Sequence, residues 1–194
     1  MHPASDELSL LGSATRYFFQ SILLVRGADL SAPTPCSDWN LDQLLRHVGV
    51  TLGYLTDVLA AQGREAADVS EPEADPSADP VAVLRGRIVD LLVAWTSIPE
   101  TDRWSHVADR LLPRKIVAHV AAIEMVLHAW DIAQACKVDR PIPADLASVL
   151  LRVSPGLVEA GVADHAFGKP LEFSMTAAPG ERLLALFGRQ GRLR

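Results

Sequence analysis

The segment IVAHVAAIEMVLHAWDIAQA, residues 116–135, decides the fold. It is apolar nearly all the way round a helical repeat, so it reads as a helix enclosed by other elements and not as one lying on a surface. Among its polar residues, Glu124, His128 and Asp131 stand at steps of four and three and therefore project from one face. His119 lies roughly 140° round from Glu124 at about 100° per residue. Burying a carboxylate without a partner costs several kcal/mol, so the fold must bring a cation, hydrogen-bond donors or a metal to this stripe.

Working outward, this helix is expected from about Pro113, in the first-turn position that suits proline, to about Lys137. A first helix is expected over Ser5–Gly27, where Leu11, Ala14, Phe18, Ile22 and Val25 recur at three- and four-residue steps. The second starts at Asn40, with Gln43 placed for a capping box and Trp39 and Leu44 for a hydrophobic staple. Its apolar stripe runs Leu41, Leu45, Val48, Leu52, Leu55, Leu59. A third helix is expected over Val81–Trp95, a shorter one from Ala144 to Leu151 or beyond, and a last turn over Glu181–Phe187. The expected fold is all-α: a four-helix bundle over residues 1–140, with a helical extension over 141–194 packed on the same domain.

Composition supports a single core. The chain has 194 residues, 49% of them hydrophobic, and Ala and Leu supply 27 each, a helix-rich mixture. The formal charge of -6 excludes the basic footprint that nucleic acid requires. Most of that charge sits in residues 63–80, where six carboxylates face one arginine; this stretch reads as a mobile acidic loop. Two cysteines are too few for a disulfide framework, and a Cys36–Cys136 bond is not expected in a reducing compartment. There is no signal-peptide pattern, and no uninterrupted apolar run reaches the length of a membrane span, so the cytoplasm is the expected location. The sequence assigns no oligomeric state.

The second helix offers His47, in the row Leu44, His47, Thr51, Tyr54 at the edge of the core. With Glu124 and His128 it would complete a set of two imidazoles and a carboxylate. Such a set leaves coordination positions open, the pattern of catalytic metal sites; zinc is the first choice, and other divalent ions suit it too. The alternative at this point is that Glu124 and His128 are hydrogen-bonded core residues without a metal.

A resemblance bears on that choice. The stretch TPCSDWNLDQLLRH, residues 34–47, is similar to the second-helix signature of the mycothiol-dependent maleylpyruvate isomerase family, within the DinB-like superfamily. EMVLHAWDIA, residues 124–133, resembles that family's fourth-helix signature, and ERLLALFGR, residues 181–189, the ending of its short actinobacterial members. The resemblance implies a DinB-like bundle holding a divalent metal, commonly zinc, on His47, Glu124 and His128. It also implies mycothiol or a similar small thiol as cofactor, acting on a small-molecule electrophile. Arg189 matches the arginine of the C-terminal motif, where it would hold a substrate carboxylate as a bidentate partner.

The chemistry so implied is thiol transfer or thiol-assisted isomerisation, because metal charge favours a thiolate at neutral pH. Two other functions stay open on the same residues: a non-catalytic metal-binding interaction or stress-related protein, and a hydrolase using metal-bound hydroxide. Maleylpyruvate itself is not expected as substrate, because only about thirty residues follow Asp164, fewer than the C-terminal domain of longer family members. Asp131 is expected to support a ligand histidine or an arginine, or to cap an interhelical contact. Trp39 and Trp130 are read as packing residues and Cys36 as a small cysteine in a turn; His106, His119 and His165 have no assigned partner.

Overall fold

A computed structural model describes residues 3–36, 39–61, 75–99, 104–107, 110–159 and 168–190. Most of the acidic stretch expected as a mobile loop, and His165, lie outside them. The order of elements is α1 (Pro3–Ile22), a 3-10 turn (Leu23–Val25), α2 (Leu41–Ala60), α3 (Pro80–Ser97), β1 (Trp104–Val107), β2 (Arg110–Pro113), α4 (Arg114–Ala135), α5 (Ala144–Glu159) and α6 (Pro179–Leu186).

The protein is an all-α bundle with α4 at its centre. Twenty of the 22 residues of α4 are buried, which is where an all-round apolar helix has to be. It is packed by α1, α2 and α5, with α3 closing the bundle against α2 and α1, and α6 on α5. Phe18 and Ile22 of α1, Leu44, Leu45 and Leu52 of α2 and Ile123 of α4 belong to one continuous core with almost no exposed surface. Each such side chain contributes about 1.5–3 kcal/mol by leaving water.

Two described stretches, Asp6–Val25 and Arg114–Ala135, are long and apolar enough by length and composition to cross a membrane, and neither is an uninterrupted apolar run, since charged residues interrupt both. In α4 the apolar character serves the bundle interior, since 94% of that helix's apolar window is covered by protein.

The capping box expected at α2 is present in full: the Asn40 side chain accepts from the Gln43 N–H at 2.9 Å, and the Gln43 side chain accepts from the Asn40 N–H at 3.0 Å. α3 is two residues longer at its end than expected and begins at Pro80, capped by Asp79. The first helix stops at Ile22, five residues before Gly27. Pro113 is the cap residue of α4 and closes β2, not the first residue of the helix. The antiparallel hairpin β1–β2, with Ser105 opposite Leu112, was not expected.

Candidate metal centre

The site forms where α2 crosses α4. The bend before α2 is held by backbone bonds from Leu41 N–H to the Ala32 carbonyl and from Asp42 N–H to the Leu30 carbonyl, both 2.9 Å. The Thr34 hydroxyl donates to the carbonyls of Cys36 (2.9 Å) and Trp39 (2.8 Å). This turn aims Cys36 and Trp39 at the same region as His47, two turns into α2.

His47, Glu124 and His128, the three expected ligands, present one donor atom each within 4.8 Å of one another. His128 Nε2 is 3.2 Å and His47 Nε2 3.9 Å from Glu124 Oε2. That oxygen is buried and has no hydrogen-bond partner; His128 Nε2 stands beside it at ion-pair distance only. Around one small cation with bonds of about 2.0–2.1 Å, neighbouring ligand atoms of a tetrahedron stand about 3.3 Å apart; the His128–Glu124 separation of 3.2 Å is near that value, His47–Glu124 is wider at 3.9 Å, and all three atoms lie within 4.8 Å. An orphaned carboxylate oxygen between two imidazole nitrogens is the donor chemistry a divalent cation satisfies.

Behind His128 the structure adds a network. His128 Nδ1 donates to Asp131 Oδ2 at 2.9 Å, and the Arg189 Nη2 donates to the same oxygen at 3.0 Å. The Cys36 thiol also donates to it at 3.4 Å, and Arg189 Nε to Asp131 Oδ1 at 3.4 Å. Arg189 further donates to the Phe187 carbonyl at 2.9 Å and to Cys36 Sγ at 3.5 Å. Asp131 thus meets both a histidine and an arginine. Cys36, His128 and Asp131 also cluster as a second set of metal-type donors, but the guanidinium already supplies the positive charge at that carboxylate.

Burial acts on all these groups. It pushes the Asp131 carboxyl up, yet His128 and Arg189 hold it below the usual carboxylate range. Burial likewise pushes His128 down, while its bond to Asp131, the neighbouring Cys36 and the negative charge of the Glu124 carboxylate reverse this and hold it well above the ordinary imidazole. His47 is held below its ordinary value by burial and by the neighbouring His128.

Arg189 is aimed by the end of α6. Gly188 has a φ of 78°, with its N–H on the Ala185 carbonyl (3.1 Å) and the Arg189 N–H on the Leu184 carbonyl (2.8 Å), a Schellman cap. A Cβ at Gly188 would stand 2.9 Å from the Gly168 backbone, so only glycine fits. Trp39 stacks on His47 with centroids 4.2 Å apart, a contact beyond the staple expected for it. Trp130 is buried in the core. Cys36 and Cys136 are free thiols. Of the remaining histidines, His119 lies 4.0 Å from Glu7, away from the site, and His106 is half-buried in β1. The approach of Cys36 to Asp131 spans 95 residues and carries no local sequence signal.

Two uncharacterized proteins of Mycobacterium tuberculosis, one from each of two strains, are 28% identical over 171 residues, covering 85% of this chain and 87% of theirs. The fold is similar to the crystal structure of a mutant of the mycothiol-dependent maleylpyruvate isomerase, with a TM-score of 0.64 and 18% identity, over 76% of this chain and 67% of that one. Residues 16–133 match the family described as the mycothiol maleylpyruvate isomerase N-terminal domain, a stretch that holds His47, Glu124, His128 and Asp131 and stops short of Arg189. The chain belongs to that family.

Proposed function

We propose that this protein is a metal-dependent enzyme of the mycothiol-dependent maleylpyruvate isomerase type. It would add a small thiol to an electrophilic carbon, either transiently, so that a double bond can rotate, or lastingly, as an S-conjugate. The observation that carries the reading is the buried Glu124 oxygen without a hydrogen-bond partner, set between two imidazole nitrogens.

His47, Glu124 and His128 would hold the cation, with zinc the first choice for two imidazoles and a carboxylate. When bound, it supplies the positive charge that keeps a small thiol as its thiolate at neutral pH. Asp131 fixes the His128 tautomer: a carboxylate only accepts, so Nδ1 carries the proton and Nε2 faces the site. Trp39 holds the His47 ring by stacking. The site opens on the α2 side, since the His47 side chain is 32% exposed against 3–4% for Glu124 and His128. Arg189, expected as a clamp for a substrate carboxylate, directs four of its N–H groups at Asp131, Cys36 and Phe187. We therefore assign it to anchoring Asp131.

The test is turnover of conjugated small electrophiles, maleylpyruvate among them, with and without mycothiol. The reading predicts turnover that requires the thiol and falls more than about 100-fold in His128→Ala and Glu124→Gln. Turnover that ignores the thiol would make the protein a hydrolase, and none with any electrophile would favour a non-catalytic metal-binding role.

A further inference from the structure

α3 differs from the other helices that flank the core. It is apolar on both sides: Leu84, Ile88, Leu91 and Trp95 are buried, while on the opposite side Val89 is 55% and Val93 57% exposed. A helix apolar all round belongs in an interior, as α4 shows, yet among the described residues nothing covers the outer side of α3.

That outer side has an ordered pattern. Ala82, Gly86, Val89 and Val93 follow one another at steps of four, three and four, the alternation of a two-stranded coiled-coil seam. Gly86 has open space above it, so the backbone can be approached closely at that level. The exposed charges of the helix interior, Arg85 and Asp90, flank the seam on opposite edges and are five residues apart. In two parallel helices related by a two-fold axis, a residue on one edge meets the residue five positions further along the other edge of its partner. Arg85 of each copy would then face Asp90 of the other. Neither makes an ion pair or hydrogen bond among the described residues. An antiparallel pair would bring like edges together and leave both charges unmatched.

We propose that the outer face of α3 is a self-association surface, on which a second copy of this chain packs its own α3 in parallel across a two-fold axis. The small residues Ala82 and Gly86 set a close approach at one end of the seam, and Val89 and Val93 exclude water at the other. Two symmetric Arg85–Asp90 pairs fix the direction. A seam of this length buries less than a standard interface, so association is concentration-dependent.

The experiment is sedimentation velocity of the full chain from micromolar to near-millimolar concentration, for the parent and three exposed-site variants, each checked for folding by circular dichroism. The parent is expected to shift from monomer to dimer. Val89→Glu and Arg85→Glu should each weaken the dimer at least about tenfold, and the double change Arg85→Glu with Asp90→Arg should restore it, because the pairing is regenerated with signs exchanged. Oxidation of Gly86→Cys should link two copies through position 86, which a parallel pair places face to face. A parent that stays monomeric throughout would overturn the proposal and leave the face to a different partner. A dimer indifferent to these variants, or one not restored by the charge exchange, would overturn it as well.

Discussion

Asp131 has no exposed surface, and its two oxygens accept hydrogen bonds from His128, Cys36 and Arg189, which come from three separate segments of the chain. The stripe of Glu124, His128 and Asp131 was legible from spacing alone, because three- and four-residue steps on a helix share a face. The approach of Arg189, 58 residues away, and of Cys36 was not, since no local rule brings distant segments together. Asp131→Asn is expected to lower zinc affinity about 10–100-fold, measured by competition with a chelator, because His128 loses the acceptor that fixes its tautomer. The same change leaves a buried guanidinium without its carboxylate and should cost about 3–5 kcal/mol in urea unfolding. Unchanged zinc affinity in a folded variant would mean that Asp131 serves packing alone.

At the scale of elements, the start of α2 was the most readable boundary, whereas the ends of α1, α3 and α4 fall two to five residues from where they were expected. The Asn40 and Gln43 pair marks the start of α2 and is realised with both bonds. The hairpin escaped because its four-residue strands, WSHV and RLLP, are too short for an alternating pattern to separate them from a loop. At the end of α6, Gly188 adopts a backbone conformation that side chains resist, and it does so one residue before Arg189. Gly188→Ala should destabilise by at least about 1–2 kcal/mol, from left-handed strain and the crowding against Gly168. The control is Gly12→Ala, in the interior of α1 with nothing within 4 Å of an added Cβ, which should stabilise by about 0.5–1 kcal/mol. Urea midpoints of the two variants measure both; equal shifts would show that the α6 cap is not under conformational constraint.

For the molecule as a whole, the buried α4 and the periodicity of its neighbours carried the bundle, because a helix without a polar side admits few other environments. The same burial has a consequence for acid stability. His119 on α4 is displaced down to about 4, first by burial and then by Lys115, so it folds as the neutral base. The unfolded chain takes up a proton near the ordinary value of about 6.5 and the folded chain only near 4, so more protons are bound by the unfolded state between them. Stability contributed by neutral His119 is therefore complete above that window and lost as pH falls through it, by about 2 kcal/mol at pH 4.5. Unfolding free energies at pH 7 and pH 4.5 should converge in His119→Gln relative to the parent; an unaltered difference would place the acid sensitivity elsewhere.

The claim on which the functional account rests is that His47, Glu124 and His128 share one cation. It is tested most directly by metal content per chain, by mass spectrometry on tag-free protein, with His128→Ala purified in parallel. About one equivalent of divalent metal is expected in the parent and little in the variant. No metal in either, even after zinc is added, would contradict it and leave Glu124 and His128 as buried polar residues of the core.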